Sequence, residues 1–377
     1  MSISPIKIIA AILVWLLCVA AALGVYVGQW LYRGVVTFDA NTTYTIEKGS
    51  SLHAVAKDLS DKGHIKWPKL WVYFARGVDL TDIKAGEYAM DAQISPVAIL
   101  EKFNKGEVKH YSITFVEGST FVDIIRQLHQ NEKLTKRLDK NNIVAQLKKY
   151  GINVAHPEGW IFPDTYQFVA GDTDVDVLRR AYEKMKFVLS KEWISRDDNL
   201  PYKDAYEALI MASIVEKETG VAYERPEIAG VFVRRLQKGM RLQTDPTVIY
   251  GMGENYKGNI RRKDLKEPTP YNTYVIKGLP PTPIANPGQE AIYAALHPKQ
   301  GESLFFVAKG DGTHYFSVTN EEHNRAVRKY QKKRKENYRS APPTATPLAT
   351  LPPSTTPVPS VGSTTALQES VEKEGAE

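Results

Sequence analysis

The feature that most constrains this chain is a run of 20 residues without a charge, from Ile8 to Val27. A helix of about 20 residues, rising about 1.5 Å per residue, crosses the hydrocarbon core of a bilayer, which is about 30 Å thick. A cleaved signal peptide is the alternative, since Ala20 and Ala22 fit a small-residue cleavage site. Because the apolar region of a signal peptide is usually about 7–15 residues long, the length favours an uncleaved transmembrane helix over residues 8–27.

The charges beside the span predict its orientation. Lys7 and the amino terminus precede it and only Arg33 follows closely, so the positive-inside rule places residues 1–7 in the cytoplasm. The rest of the chain would then lie on the periplasmic face of the cell inner membrane. We expect a linker of about 15 residues to hold the next domain close to the membrane surface.

Composition separates the two ends of the chain from its middle. The single cysteine, Cys18, lies in the span, which excludes an intramolecular disulfide and a cysteine zinc site. Residues 341–377 hold seven prolines, seven threonines and no aromatic residue, so we expect a disordered tail. The basic run from Arg325 to Arg339 is typical of a solvated helix, with attraction to anionic lipid or polymer as the alternative. A net charge of +6 does not indicate nucleic acid as a partner.

Two segments 69 residues apart, Tyr44–Leu59 and Ile113–Leu128, share one pattern. Each begins as a short strand, passes a glycine turn and a Ser or Thr cap, and continues as a helix with a regular apolar face. The pattern predicts two β-α units within residues 40–155. It resembles LysM-type modules, which bind the glycan backbone of peptidoglycan, while a purely structural β-α unit is the alternative.

From residue 156 to 335 the pattern is that of an enzyme core, in which predicted helices alternate with other segments. We expect helices over Val175–Leu189, Tyr206–Thr219, Ala222–Lys238 and Gln289–Leu296, and strand or loop segments at Leu242–Tyr250, Tyr271–Ile276 and Phe305–Val307. Such a mixture predicts an α+β domain, so the whole chain is assigned to the α+β class.

The predicted helix over 206–219 ends with two candidate acids, Glu216 and Glu218. At 100° per residue they point about 200° apart, so one face of the helix cannot hold both. Glu218 lies within about 60° of Met211, Ile214 and Val215 on the apolar stripe. Burial there would raise its pKa and keep it protonated near neutral pH, as a general acid requires. A cap or a salt bridge to an arginine such as Arg225 or Arg234 is the alternative.

Several segments around these acids resemble the YceG-like family. They include Glu216-Lys-Glu-Thr219, the Leu-Gln-Thr-Asp-Pro-Thr run at 242–247, Pro270-Tyr-Asn-Thr-Tyr274 and Gly278-Leu-Pro-Pro281. The resemblance extends from the anchor to about Tyr330 and leaves out the tail after Ser340. In that family the acid is the glutamate before a small hydroxyl residue, so the resemblance implies that Glu218, before Thr219, is catalytic.

The resemblance also implies a reaction, an endolytic lytic transglycosylase reaction on nascent peptidoglycan. The bond cut is the β-1,4 link between N-acetylmuramic acid and N-acetylglucosamine, and the muramoyl 6-hydroxyl closes to a 1,6-anhydro ring. Ordinary glycosidases use two carboxylates, whereas this lyase reaction needs one, first as acid and then as base. The cut would terminate elongation of the strand.

Polar residues in the same segments are the predicted substrate contacts. They flank prolines, on backbone that we expect to be loop-like and suited to hydrogen bonds with sugar hydroxyls and N-acetyl groups, while tyrosine rings can also stack on a sugar face. The predicted set is Gln243, Thr244, Asp245, Tyr271, Asn272 and Tyr274. For Asp245 the alternative is a structural role in a turn before Pro246. For Asn272 a substrate contact and a structural role are equally supported.

No cofactor is predicted, and no metal site, since His297 and His314 have no carboxylate or cysteine at ligand spacing. The predicted partners are peptidoglycan strands, the cytoplasmic membrane and peptidoglycan synthases. The competing hypothesis is a non-catalytic, membrane-anchored scaffold that binds peptidoglycan for those synthases. A muramidase that uses water is a third hypothesis, which the mass of the product distinguishes.

Overall fold

The computed structural model describes residues 5–39, 42–139 and 142–331. The predicted tail over 341–377 and the first four residues lie outside the described residues. Within the described ranges the fold is α+β, with helices predominating and four antiparallel pairs of short strands. The α+β assignment is therefore confirmed.

The first helix, α1 (Pro5–Arg33), is long and apolar enough to cross a membrane, and its apolar window is fully exposed. It runs beyond the predicted span, and near its end Leu31 is only 3% exposed within the first hydrophobic core. The linker that we expected after residue 27 is therefore replaced by a helix that packs directly on the next module. The helix continues because Tyr26–Arg33 contains no proline and its single glycine, Gly28, faces open space.

The first core joins the end of α1 to the first repeat unit. Its elements are β1 (Val36–Thr37), β2 (Thr43–Ile46), α2 (Leu52–Asp61), α3 (Pro68–Gly77), β3 (Gly86–Ala89), β4 (Gln93–Ile94) and α4 (Pro96–Lys105). Strand β2 pairs antiparallel with β3, and β1 pairs with β4. Ser51 caps α2 by accepting a hydrogen bond from Ala54 N, as the repeat pattern predicts.

The second core is built on the second repeat unit. It contains β5 (His110–Thr114), α5 (Phe121–Gln130), α6 (Ile143–Lys149), β6 (Thr165–Val169) and the first half of α7 (Asp174–Ile194). Thr120 and Asp123 form a capping box at the start of α5. Strand β5 pairs with β6 from Thr114↔Thr165 to His110↔Val169, so the second unit is completed by residues beyond position 155, where the predicted boundary lies.

The third core surrounds α8 (Ala205–Glu218). Around it lie the second half of α7, α9 (Arg225–Gln237), α10 (Asp245–Met252), α11 (Gln289–Leu296), β7 (Phe305–Ala308), β8 (His314–Ser317) and α12 (Asn320–Tyr330). Helix α8 packs most closely on α11 and also contacts α7, α9 and α10. Its burial places Glu218, the last residue of α8, beside the α10 segment.

The segment Leu242–Tyr250, expected as strand or loop, is instead the entry and body of helix α10. Thr244 is the N-cap and Pro246 stands in the first turn, where proline is tolerated because its missing amide would have no helical partner. The Val-Ile-Tyr run has strand-like composition, but Val248 and its neighbours pack as a helix under α8. The predicted bounds of α11, Gln289–Leu296, are confirmed.

Candidate active site

Glu218 ends the most buried helix of the third core. Met211, Ile214 and Val215 are fully buried, which confirms the predicted apolar face. The Glu218 side chain extends from this stripe and is partly buried. Burial raises the pKa of Glu218 to about 7, and the negative charge of Asp245 acts in the same direction. Its place at the carboxyl end of α8, the negative end of the helix dipole, also disfavours the ionised form.

The Glu218 carboxyl is oriented by the N-cap of α10. Thr244 Oγ1 donates a hydrogen bond to Glu218 Oε1. Thr244 is itself held by Thr273, whose Oγ1 accepts from Thr244 N at 3.0 Å. Because one carboxyl oxygen accepts this bond, Oε2 is the oxygen that remains to carry the acidic proton.

A buried arginine shapes the segment that leads to this N-cap. Arg235 is 7% exposed and donates to Leu304 O at 2.6 Å and to Leu242 O at 2.8 Å. Its positive charge lowers the pKa of Glu218, against the effect of burial. Arg235 therefore fixes the backbone just before Gln243 and limits how far the Glu218 pKa rises.

The arginines considered as salt-bridge partners of Glu218 have other partners. Arg225 pairs with Glu290, and Arg234 donates to the carbonyls of Ser303 at 2.8 Å and Lys299 at 2.9 Å. Neither of these two arginines therefore forms an ion pair with Glu218.

Glu216 faces away from this site, as its angle on the helix predicts. Its Oε2 accepts from Gly288 N at 2.9 Å, at the start of α11. Burial raises the pKa of Glu216 too, with a contribution from the negative charge of Glu117. Glu216 thus caps α11 on the side of α8 that carries the second repeat unit, and the two acids have separate surroundings.

Four of the predicted substrate contacts have side chains that are at least partly exposed. Gln243 and Asp245 are exposed, while Tyr271 and Tyr274 are partly buried. Tyr274 Oη donates to Asp245 Oδ1 at 2.7 Å. Gln243 has a φ of 53°, a left-handed conformation that is rare for a residue with a side chain and that clusters at functional sites.

The other two predicted contacts, Thr244 and Asn272, are buried in this structure. Thr244 is 2% exposed and its hydroxyl is engaged by Glu218. Asn272 is 1% exposed, and its amide nitrogen donates to Glu267 O at 2.7 Å and to Asp264 O at 3.1 Å. In this structure both side chains are engaged by protein groups, the Thr244 hydroxyl by Glu218 and the Asn272 amide by the loop that carries Tyr274.

Sequence reasoning missed a second carboxyl with a raised pKa, Glu158. It is 2% exposed, and burial raises its pKa to about 7. Glu158 Oε1 accepts from Phe121 N at 2.8 Å, and Oε2 accepts from Tyr250 Oη at 3.1 Å. It therefore connects α5 to α10, the helix whose N-cap orients Glu218. The available signal was an acidic residue set within an aromatic, proline- and glycine-rich segment.

The histidines considered for a metal site lie apart in the fold. His314 Nδ1 lies 2.8 Å from Glu224 in a buried pair, and His297 Nδ1 lies 2.8 Å from Asp197. Across the described ranges no three His, Cys, Asp or Glu side chains are grouped as a metal site requires. The groups beside the Glu218 carboxyl include the Thr244 hydroxyl and the Asp245 carboxylate.

Comparison with known proteins bears on this arrangement. The YceG-like family matches residues 44–329. The endolytic murein transglycosylase of Bacillus subtilis (strain 168) is 34% identical over 319 residues, covering 78% of this chain and 86% of that protein. The protein of the same name from Streptococcus pneumoniae serotype 2 is 28% identical over 349 residues, covering 82% of this chain and 63% of the pneumococcal protein.

A crystal structure of a yceG-like protein from Listeria monocytogenes, 33% identical in sequence, covers 75% of this chain and 98% of its own with a TM-score of 0.49. The family match includes the second and third hydrophobic cores and the part of the first core from Tyr44 onward, and it ends within α12. This chain belongs to the YceG-like family.

Proposed function

We propose that this protein is a lytic transglycosylase that cuts nascent peptidoglycan strands internally, between N-acetylmuramic acid and N-acetylglucosamine, and leaves a 1,6-anhydro end. Its curated relatives are named endolytic murein transglycosylases. The observation that carries the mechanism is the Glu218 carboxyl, whose pKa burial raises to about 7, so that a substantial fraction stays protonated near neutral pH. Such a cut ends the elongation of the strand.

One carboxyl performs both proton transfers. Glu218 gives the proton on Oε2 to the glycosidic oxygen as the bond to the muramoyl anomeric carbon breaks. The resulting carboxylate then takes the proton of the muramoyl 6-hydroxyl, whose oxygen bonds to the same carbon. The attack is intramolecular, so no water needs to be positioned, and the high effective concentration of the hydroxyl lowers the barrier.

The surface beside the acid supplies the proposed sugar contacts. Gln243 and Asp245 stand at the start of α10 with free hydrogen-bonding surface, suited to hydroxyl and N-acetyl groups. The rings of Tyr271 and Tyr274 offer partly exposed faces for stacking on sugars. Thr244 acts through Glu218, because its hydrogen bond selects the oxygen that carries the proton.

Replacing Glu218 by glutamine tests the proposal. The Glu218→Gln variant keeps the size of the side chain but has no acidic proton, so we expect release of 1,6-anhydro fragments from purified strands to fall by about 10²–10⁴-fold. Glu216→Gln makes the same change two residues earlier on the other face of α8 and should keep activity within a few-fold. Full activity of Glu218→Gln would support the scaffold hypothesis, and products one water heavier would support a muramidase.

The pH dependence of kcat/KM is a second test of Glu218 as the general acid. The acid must be protonated to act, and its pKa is raised to about 7. We therefore expect kcat/KM to decline as the pH rises through about 7, roughly tenfold per pH unit above it. A rate that increases over this range would contradict Glu218 as the general acid.

Helix α1 is compatible with a membrane anchor, and we propose a single span with residues 1–7 in the cytoplasm and the catalytic region facing the periplasm. Peptidoglycan synthases are the proposed partners, since an anchored enzyme reaches strands near their site of synthesis. A reporter that works only outside the cytoplasm, fused after Ser340, should be active. Activity of only a cytoplasmic reporter at that position would overturn the orientation.

A further inference from the structure

The carboxyl end of α1 lies where a membrane anchor would leave the hydrocarbon. The uncharged run Ile8–Val27 has 20 residues, about the length that spans a 30 Å core. The helix continues to Arg33, so its last turns would stand at the level of the lipid headgroups. Tyr26 and Trp30 occur at this level, where aromatic side chains are preferred.

The first module packs against α1 at this headgroup level. Trp67, the N-cap residue of α3, packs edge to face on Trp30 at 5.0 Å and on Tyr26 at 5.8 Å between ring centroids. Leu31, one residue further along α1, is buried in the first core. The start of α3 therefore has a fixed position beside the outer end of the span.

A cavity of about 550 Å³ lies between these two elements. Leu23 and Val27 of α1 and Pro68 and Leu70 of α3 give it an apolar lining. Two lysines, Lys66 and Lys69, stand at its edge and are exposed. Within the described ranges neither lysine has an acidic partner, and Lys66 Nζ lies 5.1 Å from the centre of the Trp67 ring.

The start of α3 adds positive potential at the edge of the cavity where the two lysines lie. The N-cap residue of α3, Trp67, makes no side-chain cap bond, so among the described residues no capping side chain offsets the positive end of the helix dipole. The apolar cleft faces the bilayer and suits an acyl chain. The two lysines, which have no acidic partner among the described residues, lie at headgroup height and suit an anionic phosphate. A second copy of the chain would have to bring its own acidic group to these lysines.

We propose that this cavity binds one anionic phospholipid, with an acyl chain along Leu23, Val27 and Leu70 and the phosphate between Lys66 and Lys69. The inference rests on the membrane anchor of the proposed function. The bound lipid would fasten α3 to the membrane surface and so fix the height and tilt of the domains that follow.

Native mass spectrometry of the full chain, released from detergent in the presence of phosphatidylglycerol or phosphatidylcholine, tests the site. We expect one phosphatidylglycerol to be retained in preference to phosphatidylcholine, by on the order of tenfold. The double variant Lys66→Gln/Lys69→Gln should lose this preference. The control Lys191→Gln/Lys238→Gln removes the same charge from two exposed lysines of the catalytic region and should keep it.

Equal retention of the two lipids by the unmodified chain, or a preference that survives in the Lys66→Gln/Lys69→Gln variant, would overturn the proposal. A spectrum dominated by dimers without lipid would assign the cavity to a second copy. Displacement of the lipid by inorganic phosphate would reduce it to a free anion site. The intact mass in the same spectrum shows whether residues 1–33 are retained, which separates failure of the lipid site from failure of the anchor.

Discussion

The turns at residues 47–50 and 117–120 occupy the same place in the two repeat units, yet the protein surrounds them differently. Both pass through a glycine in the left-handed region, Gly49 at φ 88° and Gly118 at φ 75°. The first turn is mostly exposed and lies beside an open cavity of about 600 Å³. Its Lys48 is 69% exposed and lies 3.8 Å from Asp176.

The second turn is fixed to the catalytic region by several hydrogen bonds. Gly118 N donates to Asn286 O at 2.9 Å, and Asn286 Nδ2 donates to Ser119 O at 2.9 Å. Lys217, the neighbour of Glu218, donates to Gly118 O at 3.2 Å. The same local pattern is therefore mostly exposed at the first turn, whereas at the second turn it is bonded to the region that carries Glu218.

The difference comes from residues outside the repeat. Asn286 is fully buried and also accepts from Ile161 N at 2.9 Å, while Glu158 holds the first amide of α5. Neither residue has a counterpart fixed by the repeat pattern. The comparison teaches that the second turn is enclosed by the catalytic region, whereas the first turn lies on an open cavity that it shares with residues between Thr135 and Arg179.

The largest effect should come from removing the support of the second turn. Asn286→Ala leaves the amide of Ile161 unpaired in a buried site and removes a hydrogen bond to Ser119, so we expect a loss of about 2–4 kcal/mol in the free energy of unfolding. For a protein of this size the unfolding temperature would fall by roughly 3–6 °C. Circular dichroism of the full chain in detergent measures the change.

Ser50→Ala in the first turn is the matched control, with an expected change of no more than about 0.5 kcal/mol. Because Asn286 also supports the turn beside Lys217, kcat of the Asn286→Ala variant should decline with little change in KM. Equal losses of stability for Asn286→Ala and Ser50→Ala would contradict the conclusion that only the second turn is supported by tertiary contacts.

The next effect concerns Glu158 and depends on pH. Its pKa is raised from 4.5 to about 7 in the folded protein, so between these values the folded state binds more protons than the unfolded chain. Stability is therefore greatest at the acidic end of this window and declines as the pH rises from about 4.5 to about 7, by about 1–3 kcal/mol for this group. Glutamine can keep the bonds to Phe121 and Tyr250 without titrating.

We expect Glu158→Gln to flatten the decline, and denaturant unfolding at pH 5 and pH 7 measures it. The Glu218→Gln variant should flatten it as well, since Glu218 has a similarly raised pKa, but it should also abolish activity. An unchanged pH slope in Glu158→Gln would mean that this carboxyl does not hold its proton in the folded protein.

These cases show which parts of the molecule the sequence can predict. The face of α8 that carries Glu218 follows from helical period alone, and the caps Ser51 and Thr120 follow from local spacing. The partners of the second turn cannot be predicted from local spacing, because Asn286 and Ser119 are 167 positions apart in the chain. The bond from Thr244 to Glu218 spans 26 positions, and it depends on α10 forming as a helix.

The burial of Asn272 illustrates the same limit. An asparagine beside a proline and two tyrosines is typical both of a sugar contact and of a loop brace. Only the packed loop shows that its amide is occupied by the carbonyls of Asp264 and Glu267. Residue type indicates what a group can bind, and the tertiary contacts decide what it does bind.

The smallest effect should appear at the first turn and its cavity. Besides Lys48, the lining includes Tyr150, which is 37% exposed, and the guanidinium groups of Arg137 and Arg179. Aromatic faces and cationic donors together suit a sugar chain with acidic substituents. If this cavity binds glycan, it holds the strand between the first turn and the second unit.

Tyr150→Ala should therefore lower co-sedimentation of the full chain with insoluble peptidoglycan by about threefold to tenfold, the loss of about 1 kcal/mol of ring contact. The unfolding temperature should stay unchanged, because the ring is partly exposed, and kcat on short fragments should also stay unchanged. Tyr223→Ala removes a ring that is 74% exposed in the catalytic region and serves as the control. Equal binding by the two variants would show that the cavity beside the first turn does not bind glycan, and that the repeat serves structure in both copies.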